Sequence, residues 1–179
     1  MALILPGIHS LVQHLQHLQV QPEAYRPSRC PHCGKARVWC HGVYTRKADR
    51  ASAAQSSLNP IPIARFFCAC CQQTCSRLPE CLSPRRWYLW AVQEAVLAWL
   101  IGGHSMRWIS RQVTPSRRTI RRWWQHLKAR FSEHAFCLRS RFPELGRKVS
   151  CRSFWQACLS QMSLSTAMSW IHQHGHPVP

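Results

Sequence analysis

Apolar residues recur at three- and four-residue spacing over much of the chain, and that period predicts helices. Leu11, Leu15 and Leu18 form a short amphipathic stretch, followed by the proline-punctuated run PEAYRPSR. Two runs at 43–46 and 61–67 read instead as strands, on either side of a small-residue loop, ADRASAAQSS. Beyond residue 84 the helical period returns. A first helix is expected over 87–101, with Leu89, Val92, Val96, Trp99 and Leu100 on one side and Gly102 and Gly103 at its end. A second, over 105–112, starts at the N-cap Ser105 and turns Met106, Ile109 and Val113 inward. After Val113, Thr114 and Pro115, Ser116 caps a third helix over 117–130. Two more are expected near 154–162 and 165–173, ended by Gly175 and Pro177.

The expected fold class is therefore α+β, mainly α. Four segments divide the chain: a helical or extended lead at 1–29, a small antiparallel cysteine-rich unit at 30–83, a three-helix unit at 84–131 and a helical extension at 132–179. No internal repeat is visible.

Charge changes the picture most. Lysine and arginine total 24 against six acids, a formal net charge of +18. A field of that sign attracts polyanions, and arginine forks onto phosphate and guanine. The 11 cysteines are an odd number and closely spaced, which fits metal ligation in a reducing compartment better than a secreted disulfide scaffold. The start, MALILPGIHS, lacks a basic lead and is broken by Pro6 and Gly7, so no signal peptide is expected. The most apolar stretch, 89–101, is too short to span a bilayer and carries Gln93 and Glu94. The expected location is cytoplasmic, associated with the nucleoid, with no membrane partner.

The cysteine spacing is specific. Cys30-Pro31-His32-Cys33-Gly34 is one C-x-x-C knuckle, and Cys68-Ala69-Cys70-Cys71 supplies another. Two such turns offer four thiolates in a tetrahedron, the geometry of structural Zn²⁺ in a zinc ribbon. Four protein ligands leave no open position, so this Zn would hold the fold and do no catalysis. Cys40, Cys70, Cys75, His32 and His41 are alternative ligands.

The third helix carries the functional argument. Ile120, Trp124, Leu127 and Phe131 make a core-facing stripe, with Arg118, Arg121, Arg122 and Gln125 on the opposite face. No acid lies between Glu94 and Glu133 to pair with these arginines. An arginine-faced second helix of a helix-turn-helix suits a major groove, where arginine can bond guanine bidentately. Ser116, Arg117 and Thr119 sit at the helix start, better placed for phosphates. Double-stranded DNA is the expected partner, and a homodimer on paired half-sites is compatible with it.

The stretches LPG, PEAYRPSRCPHCG, WCHGVYTRKA, IPIARFFCACCQQTCSRLP, SRRTIRRWWQHL, RSRFPELG and WIHQHG resemble a family of bacterial zinc-ribbon and helix-turn-helix proteins tied to insertion sequences and labelled transposase-like. The resemblance implies a mobile-element origin, Zn at Cys30, Cys33, Cys68 and Cys71, and an arginine-rich recognition helix. Relatives tend to carry an aromatic where this chain has Cys75. Taken with the residues, the expectation is a non-catalytic, sequence-specific accessory or regulator of transposition. The alternatives are a component acting with a separate catalytic transposase subunit, a nuclease, or an adaptor binding protein through Phe154, Trp155, Cys158, Leu159 and Met162. Catalysis is not expected, because transposase chemistry of the common kind needs three carboxylates. Asp49 is the lone aspartate; the other acids, Glu23, Glu80, Glu94, Glu133 and Glu144, are scattered. A tyrosine nucleophile would have only Tyr25, Tyr44 or Tyr88, and the paired histidines at 172–176 have Gln or Gly between them.

Overall fold

The computed structural model describes residues 2–47, 58–84 and 87–179. Its fold is α+β, with four strands and seven α-helices among the described residues, and it divides into two compact units, Met1–Trp87 and Tyr88–Pro179. The first unit joins the lead and the cysteine-rich segment that the sequence reading separated. The reason is physical: the lead supplies strand β1 (Ala2–Leu5), which lies parallel to a strand far along the chain. No helix among the described residues is long and apolar enough to cross a membrane.

In this first unit, β2 (Val38–Arg46), β3 (Ile61–Cys68) and β4 (Thr74–Pro79) form an antiparallel meander, and β1 completes the order β1-β4-β3-β2. The sequence reading caught the second half of β2 and nearly all of β3, and missed β1 and β4. Strand β3 buries Ile61 and Ile63 on one face and Ala64, Phe66 and Cys68 on the other, so it reads as a continuous apolar run. An extra residue between Cys40 and Val43 bulges β2, and Gly42 there takes φ 86°, open mainly to glycine. The Gly7 amide donates to the buried Glu80 carboxylate at 2.9 Å, and the Cys81 amide donates to the Ile8 carbonyl at 3.1 Å, which pins the lead to the end of β4.

Helix α1 (Leu11–Val20) starts at Ser10, whose hydroxyl accepts the Gln13 amide. Its buried His14 joins a short chain of hydrogen bonds that the hydrophobic pattern did not disclose. The Nε2 atom lies 2.8 Å from the Pro62 carbonyl, which can only accept, so Nε2 carries the proton. Nδ1 then accepts the Tyr25 hydroxyl at 2.7 Å. Burial holds the His14 pKa below its ordinary value and pushes Tyr25 up to about 12.

The second unit is helical: α2 (Trp90–Ile101), α3 (Met106–Gln112), α4 (Arg117–Ala129), α5 (Phe131–Arg141), α6 (Cys151–Gln161) and α7 (Leu164–Gln173). Helix α2 packs against α3, α4, α6 and α7. Val96 and Leu100 of α2, Ile109 of α3, and Ile120 and Trp123 of α4 share one core. Two expected faces are corrected. On α4 the buried aromatic is Trp123, while Trp124 is half-buried with the Lys128 ammonium over its ring at 5.9 Å. On α2 the buried positions are Trp90, Gln93, Val96, Leu97 and Leu100, so Leu89 and Val92 lie off the buried stripe. The Glu94 carboxylate accepts the first helical amide of α7, at Leu164, at 2.6 Å, an anion at a helix N-terminus.

Helix α5 was not anticipated. A single residue, Arg130, ends α4 and begins α5, and its side chain binds Glu133 at 2.9 Å. Phe154, Trp155 and Cys158 of α6 are fully buried, so most of the stripe considered for an adaptor belongs to this unit's core.

Candidate metal centre and basic helix face

The sheet register assembles the cysteines. Val38 at the start of β2 faces Cys68 at the end of β3, and the Ala69 amide donates to the Arg37 carbonyl at 3.0 Å. The turn before β2 is thereby set beside the turn between β3 and β4. The two turns repeat each other bond for bond. Gly34 donates to the Cys30 carbonyl and the Cys30 amide to Lys35, both at 2.8 Å. Equivalently, Gln72 donates to the Cys68 carbonyl and the Cys68 amide to Gln73, both at 2.9 Å. The fifth residue of each turn is left-handed: Gly34 at φ 72° and Gln72 at φ 57°.

Cys30, Cys33, Cys68 and Cys71 converge, their sulfur atoms all within 4.8 Å of one another. Cys30 and Cys71 are 3.6 Å apart, as are Cys33 and Cys68. This group could hold one metal ion. The amides of Cys71 and Cys70 bond the Cys68 sulfur and lower its thiol pKa, while burial and the neighbouring sulfurs raise that of Cys71, and the His32 amide donates to Cys30 Sγ at 3.4 Å. Amides aimed at sulfur stabilise thiolate and orient it for a cation. The metal group includes none of the alternative ligands. Cys40, Cys70, His32 and His41 are exposed. Cys75 is buried opposite Phe66, in the core beneath the turns, where burial pushes its thiol up. It occupies the place where relatives are expected to carry an aromatic, and it packs there as a small apolar residue.

In the second unit, four residues, 113–116, join α3 to α4. Ser105 and Ser116 cap these helices as their spacing suggested, accepting the Trp108 and Thr119 amides. The Ser116 hydroxyl also bonds the Thr119 hydroxyl at 3.2 Å, so both side chains are engaged in the cap. Arg117, Arg118, Arg121, Arg122 and Gln125 are exposed, and Thr119 is half-buried. No carboxylate among the described residues pairs with these four arginines. With Ile120, Trp123 and Leu127 in the core, the guanidinium groups stand on the far side of a well-anchored helix. The sequence reading missed Arg107 and Arg111, exposed at i and i+4 on α3, and the His104 ring stacked 4.3 Å from Trp108. Their spacing was the available signal.

Most of the described groups weighed for catalysis have structural roles. Glu80, Glu94 and Glu133 hold a loop, a helix start and Arg130 respectively, Glu23 pairs with Arg26, and Tyr25 is buried against His14. Asp49 lies outside the described residues.

Neither a curated protein nor a solved structure matches the chain. A family described as a domain of unknown function, DUF6431, matches residues 30–123, from the first cysteine of the cluster to the buried Trp123 of α4. That span is more than half of the 179 residues, and the chain belongs to this family.

Proposed function

We propose that this protein binds double-stranded DNA through α4, with α3 and α4 acting as a helix-turn-helix and a structural Zn²⁺ at Cys30, Cys33, Cys68 and Cys71. The observation that carries the reading is an exposed row of arginines, without carboxylate partners, on a helix whose opposite side is anchored in a core. Such a row is self-repelling by a few tenths of a kcal/mol for each close pair, and a line of phosphates relieves the repulsion. A four-residue connection between α3 and α4 also suits a helix-turn-helix. Arg118, Arg121, Arg122 and Gln125 read base edges, while Arg117 and the α4 N-terminus hold phosphate. Exposed Arg107 and Arg111 add phosphate contacts from α3.

Four thiolate donors favour a soft or borderline ion such as Zn²⁺ over hard cations such as Mg²⁺ or Ca²⁺. In the wider reading, the protein is a non-catalytic accessory or regulator of a mobile element, as the resemblance to transposase-like proteins implies. Selection of bound sequences from random DNA tests the DNA reading. The metal-loaded protein should enrich a short motif. Arg118→Ala and Arg122→Ala should each relax one or two positions of it, at about 1–3 kcal/mol per position. Enrichment of no motif by the folded protein would reject sequence-specific readout.

A further inference from the structure

One face of the small sheet is unusual for an edge. Strand β2 is the last strand, and its Trp39 is 57% exposed. Trp39 lies directly across from Phe67, so the two rings share a face of the sheet, and Phe67 is half-buried. His41 continues the row, its ring centroid 5.7 Å from that of Phe67. Tyr44 pairs with Ile63, two positions from Arg65 on the same face, and the Arg65 guanidinium lies 5.3 Å from the Tyr44 ring centroid. Exposed Lys35 and Arg37 precede β2 in the chain, and exposed Lys47 follows it. The described acids of this unit are committed elsewhere: Glu80 is 3% exposed, and Glu23 pairs with Arg26.

A large exposed aromatic on an edge strand invites aggregation, and a face kept that way suggests an occupant. The charge decides which. Rings beside a guanidinium, with no available carboxylate among the described residues of this unit, do not suit an apolar protein surface. They suit a strand of bases with its phosphates, in which each base has a flat face to stack and each phosphate a charge to pair. A closed duplex hides those base faces, so the fitting ligand is single-stranded.

We infer that the face formed by Trp39, His41, Tyr44, Arg65 and Phe67 binds single-stranded nucleic acid by stacking unpaired bases on Trp39 and Phe67. This site is separate from the duplex-binding helix proposed above and does not depend on it. Together they would let one chain engage duplex and unpaired strand.

The test uses the full metal-loaded chain and two fluorescent 12-nucleotide probes, oligo(dT) and an abasic oligomer with the same phosphates and no bases. Wild type should bind oligo(dT) at least about fivefold more tightly than the abasic strand. Trp39→Ala should abolish that preference, and Trp39→Phe should retain most of it. Arg65→Gln should weaken binding of both strands. Arg118→Ala with Arg122→Ala should impair duplex binding and leave the oligo(dT) preference unchanged, so that failure of either site is read separately. Equal affinity of wild type for the two strands, or an unchanged preference in Trp39→Ala, overturns the inference. So does sedimentation showing that wild type self-associates and Trp39→Ala does not, since the face would then join two copies.

Discussion

The paired turns around the cysteines make a quantitative prediction, because one carries glycine and the other glutamine at the same left-handed position. A non-glycine residue pays about 1–2 kcal/mol to be left-handed. Replacing Gln72 by Gly removes that cost, and the more flexible unfolded chain takes back about 0.4–1 kcal/mol. The net expectation is about 0.5–1 kcal/mol in favour of the folded turn. The exposed Gln72 side chain offers little to lose. The reverse exchange, Gly34→Ala, should cost a similar amount. A Cβ built on Gly34 meets no atom within 4 Å, so its penalty is conformational and not steric. Because the four thiolates are assembled only by the folded turns, both changes should appear in metal affinity. Competition with a zinc chelator should show Gln72→Gly binding about two- to fivefold tighter and Gly34→Ala about two- to fivefold weaker. If Gln72→Gly binds zinc no better and Gly34→Ala no worse, the two turns are not the equivalent metal-holding elements described above.

Further consequences can be measured on the same protein. Cys68→Ser or Cys71→Ser should lose the bound metal, whereas Cys75→Ser and Cys40→Ser should keep one ion per chain by metal analysis. A chelator should unfold the first unit while the helical unit keeps its far-ultraviolet dichroism. Trp123→Ala should cost the helical unit about 3–5 kcal/mol in urea unfolding, and Trp124→Ala less, since Trp123 is buried in the core while Trp124 packs against it half-buried. Acid should weaken both units below about pH 6.5. His14 donates to the Pro62 carbonyl and His134 to the Pro177 carbonyl, and burial lowers both pKa values below 6.5. The unfolded chain therefore binds more protons below that point. The stability is complete above pH 6.5 and is lost as pH falls toward the lowered native values, at up to about 1.4 kcal/mol per pH unit for each histidine. His14→Gln should flatten the pH dependence of the first unit's unfolding.

The sequence exposed those features whose cause is local. The two C-x-x-C spacings disclosed the four cysteines, and Ser105 and Ser116 disclosed two helix starts because an N-cap acts within its own turn. The last two helices were also legible, found at Cys151–Gln161 and Leu164–Gln173. What depended on distant partners was hidden. β1 exists because β4 lies beside it, and TCSRLP of β4 has neither clear alternation nor a β-rich composition. Helix α2 is apolar on nearly every side, so its period could not choose a face, and the buried stripe falls on Trp90 and Gln93. On α4, two adjacent tryptophans competed for one core position, and packing rather than period selected Trp123. The arginines beside them were placed by exclusion from that core and stand exposed in the structure as their spacing suggested.

The central claim is that the arginine face of α4 grips a duplex, and its salt dependence is the direct test. Fluorescence anisotropy with a duplex should give a logarithm of affinity that falls linearly with the logarithm of salt concentration. Each phosphate contact adds about 0.9 to the slope. Exchanging Arg107, Arg111 and Arg117, the residues assigned to phosphate, together for Gln should reduce that slope by about 2.7 while leaving helical dichroism intact. A folded variant that binds duplex as tightly and as salt-dependently as wild type would contradict the account.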